Sequence, residues 1–113
     1  MAEPAKTEPI ARADRRGKPR RRPSYTAAEV GTLRILRVFL HGNFLICNLS
    51  DRNTLFVPLR ISPVVAASPL RAKYQWQIEE GGRVLVWTRG IIEERLQLPV
   101  MLAYPGSEIT ASE

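Results

Sequence analysis

The sequence predicts an α+β fold: a small antiparallel three-stranded sheet plus a β-hairpin packed on short helices, preceded by a disordered basic tail. Three observations carry this expectation. Strand-length apolar runs broken by Gly-, Asn- and Asp-containing turns occupy residues 33–57. Two Ser-Pro pairs then open short helices, and a Gly-Gly turn joins two further apolar runs. The expected organisation is a disordered tail over 1–24, one small α+β domain over 30–104, and a flexible C-terminal end over 105–113.

Residues 1–23 hold four prolines, no aromatic residue, and one large apolar side chain beyond Met1, Ile10. Eight basic residues stand there against three acidic ones, so this segment carries five of the chain's six net positive charges. Such a composition buries too little apolar surface to offset its ordering entropy. The body that follows is close to neutral. Deletion of residues 1–24 is therefore expected to leave the melting temperature nearly unchanged.

In the body, Leu36, Val38 and Leu40 alternate as one face of a first strand, while Leu33 and Ile35 fall on the other parity. A β-bulge or two-sided burial reconciles them. Gly42-Asn43 forms a two-residue hairpin loop, with Gly supplying positive φ. In the second strand Phe44, Ile46 and Asn48 oppose Leu45, Cys47 and Leu49. Ser50–Asn53 is the next turn, with Asn53 suited to the left-handed conformation. Thr54–Val57 is the third strand, stopped by Pro58.

Ser62-Pro63 and Ser68-Pro69 each place a Ser N-cap before a Pro at the first helical position. Trp76–Glu79 and Arg83–Trp87 form the later hairpin around Glu80-Gly81-Gly82, and the unbroken Val84–Trp87 run predicts burial on both faces. Ile91–Leu98 is mixed in character, and Pro99 starts a terminal helical turn through Leu102.

Several features recur here in one order: Pro58-Leu59, a Pro-led helix, Ala67-Ser68-Pro69, Arg71, Trp76, and a Gly-Gly hairpin ending in Trp87. The acidic segment Ile92–Leu98 and a closing Met101-Leu102 complete it. This order resembles the small bacterial domain-of-unknown-function family 2442 over about residues 32–102. Ile61-Ser62 stand where that family has an aromatic pair, Thr88–Ile91 replace a Pro after the Trp, and the basic tail has no counterpart. The resemblance implies a compact α+β domain with no established catalysis. It also implies an antitoxin-like or regulatory role beside a small protein of domain-of-unknown-function family 4160.

The candidate sites are few. Arg15, Arg16, Lys18, Arg20, Arg21 and Arg22 form a basic run suited to phosphates, with Tyr25 near enough in sequence to stack on a base. The competing reading is a solubilising extension. Trp76, Glu93 and Glu94 are the candidate partner contacts. Against an exposed platform of Trp76 and Trp87 stands their packing onto the helices as core, with Trp76 at the rim; this second reading is preferred.

Adjacent carboxylates, Glu79-Glu80 and Glu93-Glu94, point to opposite faces of a strand and read as solvated pairs instead of an acid–base dyad. His41 lacks a second ligand at metal spacing, Cys47 reads as a small buried hydrophobe, and Gly81-Gly82 lacks the context of a phosphate loop. No catalytic residue, metal or other cofactor is expected. With a lone Cys, no apolar run of membrane length and no secretory signal, the expected compartment is the cytoplasm. Three functions remain: a non-catalytic protein-interaction module, antitoxin-like; a nucleic-acid-binding accessory protein using its Arg-rich tail; and, disfavoured by the missing catalytic constellation, an enzyme.

Overall fold

A computed structural model describes residues 20–88 and 92–111. The elements run α1 (Ala27–Thr32), β1 (Ile35–His41), β2 (Phe44–Leu49), β3 (Asn53–Pro58), a 3₁₀ turn (Leu59–Ile61), α2 (Pro63–Ala66) and α3 (Leu70–Lys73). They continue with β4 (Trp76–Glu79), a turn (Glu80–Gly82), β5 (Val84–Trp87), β6 (Glu94–Gln97), α4 (Leu98–Ala103) and β7 (Glu108–Ala111). The α+β class holds. Each sheet gains a strand over the sequence expectation: one has the order β1-β2-β3-β7, the other β4-β5-β6. All pairings are antiparallel.

Register explains the first sheet. Val38, Cys47, Leu55 and Ile109 lie opposite one another across four strands and are all buried. Partners directly opposite share a face, so this row marks the inner side. A bulge between Ile35 and Arg37 lets Ile35 and Val38, three residues apart, both face the core. Leu36 takes the extra position and is 58% exposed, so the expected Leu36/Val38/Leu40 face is corrected. The β1–β2 turn pairs His41 with Phe44 and places Gly42 at φ +60°. In the next turn Arg52, not Asn53, is left-handed, at φ +73°. The Asp51 carboxylate accepts the Asn53 N–H at 3.0 Å, and this closure over Arg52 imposes the reversal there.

The second sheet and the helices close the same core, which joins Leu33, Leu59, Val65, Leu85, Trp87, Leu96, Leu98 and Met101 to the inner face of the first sheet. Ser62 caps α2 as expected, its Oγ accepting from Val65 N at 3.2 Å. Ser68 does not cap α3: its hydroxyl donates back to the Val64 carbonyl at 2.7 Å, a carbonyl left unsatisfied where α2 ends. A helix outside the expected elements, α1, begins with a reciprocal capping box. Thr26 Oγ1 accepts from Glu29 N, and Glu29 Oε1 accepts from Thr26 N. Arg83, between the Glu80–Gly82 turn and β5, donates to the Val30 and Leu33 carbonyls at 2.6 and 2.8 Å, fastening the end of α1.

Both chain ends depart from expectation. The C-terminal stretch forms β7, because Ile109 buries completely and the β3 edge supplies its ladder. Residues 20–24 lie on the body: Arg21 exchanges both backbone hydrogen bonds with Ile109, at 2.9 and 2.7 Å, and so covers the outer edge of β7. Removing residues 1–19 is expected to leave the melting temperature within a degree or two. Removing residues 1–24 uncovers that edge and deletes two backbone bonds, at a cost of about 2 kcal/mol and roughly 10 °C in a domain this small. Thermal melts of the two truncations check this, and equal melting temperatures would refute it.

Candidate functional site

Of the sequence-predicted basic run, Arg15, Arg16 and Lys18 lie outside the described residues. Arg20 reaches onto the outer face of the four-stranded sheet. Its guanidinium sits 4.1 Å from the Phe56 ring centroid and 6.0 Å from that of Phe44, with Nη1 3.9 Å from the Glu108 carboxylate. The Arg21 and Arg22 side chains are exposed. Tyr25 is half-buried against the core and is not free to stack. Its hydroxyl donates to Asp51 at 2.7 Å and accepts from Asn53 at 2.8 Å, and burial pushes the phenol up to about 12.

Trp87 is fully buried at the centre of the second sheet, and its indole N–H donates to the Lys73 carbonyl at the end of α3 at 3.0 Å. Trp76 is half-buried on the edge strand β4, its ring 5.6 Å from that of Tyr74. Around this pair Leu70, Tyr74 and Ile78 are exposed, Leu70 at 63% and Tyr74 at 51%. The surface is an apolar rim along α3 and β4.

Glu93 and Glu94 are not brought to that rim. Trp76, Trp87 and Glu94 form one row across β4, β5 and β6, which puts Trp76 and Glu94 on opposite edges of the sheet. Glu94 is engaged internally, accepting from the buried Ser62 hydroxyl at 2.6 Å. Glu93 is exposed. The other acidic pair, Glu79 and Glu80, meets Arg95: a salt bridge of 3.8 Å to Glu79 and a direct hydrogen bond to Glu80.

Cys47 is wholly enclosed, and burial pushes its thiol up to about 12, so it stays protonated and unreactive. His41 is exposed. Among the described residues no group of three or more His, Cys, Asp or Glu side chains is placed to hold a metal ion, and no helix is long and apolar enough to cross a membrane.

One surface escaped the sequence reading. Phe39, Phe44 and Phe56 are all the phenylalanines of the chain. Phe39, Ile46 and Phe56 form one row across β1, β2 and β3, and Phe44 stands in the next row between His41 and Pro58. These rows share the face opposite to the buried Leu45, Cys47 and Leu49. Both parities of β2 are apolar, so hydropathy alone does not say which one points out. Compared with known proteins, the chain matches no family model, no curated protein and no solved structure.

Proposed function

We propose that this chain is a non-catalytic protein-interaction module, the antitoxin-like or regulatory half of a two-protein bacterial pair. The observation that carries the reading is the apolar rim of Leu70, Tyr74, Trp76 and Ile78 along α3 and the edge strand β4. A half-buried Trp beside an exposed Tyr has the character of an interface anchor: large, stiff, and able to keep its polar atom wet. An edge strand adds backbone donors and acceptors that a partner strand can pair with. The resemblance to domain-of-unknown-function family 2442 supports the same reading and names the class of partner, a small protein of domain-of-unknown-function family 4160. A cytoplasmic setting belongs to this proposal.

Co-expression with such a partner, followed by titration of purified components, tests it. Trp76→Ala and Tyr74→Ala are each expected to weaken the complex by at least about tenfold, the loss typical of an interface anchor. Tyr74→Ala should leave the fold intact because its ring is exposed, and a thermal melt verifies that Trp76→Ala, whose half-buried ring packs against the core, is folded. Complex formation indifferent to both substitutions would reject this surface.

A further inference from the structure

We propose that the outer face of the four-stranded sheet is a binding site for single-stranded nucleic acid, in which bases stack on Phe39, Phe44 and Phe56 while Arg37, and Arg20 displaced from its place over Phe56, meet the phosphates. This goes beyond the protein-partner reading and uses a different surface. The premise is an inversion of normal aromatic placement. All three phenylalanines of the chain stand on the outer face of a sheet whose inner face is filled by Leu, Val, Ile and Cys, with Phe44 and Phe56 half-buried beneath Arg20. Phe39 is 40% exposed, on the edge strand β1. A folded domain gains stability by burying such rings completely, so one exposed and two half-buried on the outer face mark a surface with another use.

Charge selects the ligand. The Arg37 guanidinium lies 5.1 Å from the Phe39 centroid, and Arg20 covers Phe56 at 4.1 Å. Arg20 Nε is shielded from solvent without a hydrogen-bond partner. An apolar protein surface docking here would desolvate the exposed Arg37 guanidinium and offer it nothing, whereas Arg20 already has the Glu108 carboxylate 3.9 Å from its Nη1. A phosphate chain pairs with both guanidinium groups and leaves the bases to the rings.

The charge also continues: Arg20 belongs to a stretch of eight basic against three acidic residues over positions 1–23, with Arg21 and Arg22 directly after it. Single strands fit better than duplex. A flat row of rings cannot reach bases that are stacked inside a helix, whereas unpaired bases present their π-faces. Phe39 and Phe56 are separated by one intervening strand, about 10 Å from inter-strand spacings, a distance that an extended strand spans within a few nucleotides.

The test uses the full chain and fluorescently labelled homopyrimidine single strands of about 20 nucleotides, with duplex of the same length as competitor. The single strand should bind more tightly than the duplex. If about four cations touch phosphates, log affinity should fall with log salt at a slope near −3. Phe39→Ala combined with Phe56→Ala should weaken single-strand binding at least about tenfold, and tyrosine at both positions should restore it. Arg37→Glu, on the exposed side of β1, gives an independent variant and should weaken binding severalfold and flatten the salt slope. Melting temperatures verify that each variant is folded. Three results would each overturn the proposal: no single-strand binding at low salt, equal affinity for duplex, or alanine variants that bind as tightly as the parent. The second and third would leave the basic run acting as a non-specific polycation. Loss of a protein partner's affinity on the phenylalanine substitutions, with nucleic-acid binding unchanged, would assign the face to that partner instead.

Discussion

Trp87→Ala is expected to bring the domain close to unfolding, lowering its stability by about 3–5 kcal/mol against a total of about 5–15 kcal/mol for a natural domain. Trp87 is fully enclosed on the central strand of the β4-β5-β6 sheet. It belongs to the core cluster that joins both sheets, so its removal leaves a cavity the size of an indole between elements fixed elsewhere. Packed surroundings relax only partly around such a void, which adds a cavity cost to the lost transfer energy. The substitution also removes the donor for the Lys73 carbonyl, one of the last carbonyls of α3. Trp87→Phe keeps much of the volume and loses only the hydrogen bond and part of the ring, so it should fall between parent and alanine variant. Urea denaturation of the three proteins measures this order. An unchanged midpoint for Trp87→Ala would mean that the ring is not core.

That burial was legible in the sequence, because an unbroken Val84–Trp87 run between turn signals has no polar face to show to water. The first hairpin was legible for the opposite reason: Gly42 sits where a tight loop needs positive φ, flanked by alternating apolar residues. Weak strands were not. In β6 only Leu96 is buried, and in β7 Ile109 is the only large apolar residue. Their strand character comes from the open edges of β5 and β3, which a one-dimensional reading does not see. The helix α1 did leave a signal, Thr26-Ala-Ala-Glu29, the spacing of a capping box. Of the candidate contacts, Trp76 at the rim followed from its place at the start of a hairpin. The engagement of Glu94 with Ser62 links residues thirty-two positions apart and had no local trace.

The phenylalanine face shows the same boundary from the functional side. Alternation in β2 established that Phe44 and Ile46 share one side and Leu45, Cys47 and Leu49 the other. The choice between them was made by the elements packed against the sheet: Val65, Leu85, Trp87 and Met101 cover the aliphatic side. Arg20 reaches the aromatic side because Arg21 is anchored by its backbone to Ile109, next to Glu108 on the last strand. Charge asymmetry between tail and body was read from composition, but the place where the basic run meets the body required the fold.

Gly82→Ala and Gly81→Ala, adjacent substitutions in one turn, are expected to differ by about 1–3 kcal/mol. Both glycines take positive φ, +65° at Gly81 and +98° at Gly82, so each alanine carries backbone strain of about 1 kcal/mol or more. The turn tolerates one such residue already, since Glu80 sits at φ +54°. At Gly81 a Cβ meets nothing within 4 Å, and strain is the whole cost. At Gly82 a Cβ would lie 2.9 Å from Arg34 Cβ, 2.9 Å from Ile35 O and 3.0 Å from Ile35 N. Two of these are backbone atoms at the start of β1, and they cannot rotate away as a side-chain tip can. Next to Gly82, Arg83 is tied to the Val30 and Leu33 carbonyls, so the turn cannot slide off β1 without breaking those bonds as well. Overpacking of this kind costs about 1–3 kcal/mol beyond the conformational strain. Gly82→Ala should therefore lose about 2–4 kcal/mol and Gly81→Ala about 1 kcal/mol, read as separate shifts of the denaturation midpoint at constant slope. Equal midpoints would show that the Glu80–Gly82 turn does not rest on β1, and with it that the two sheets are not fastened at this corner.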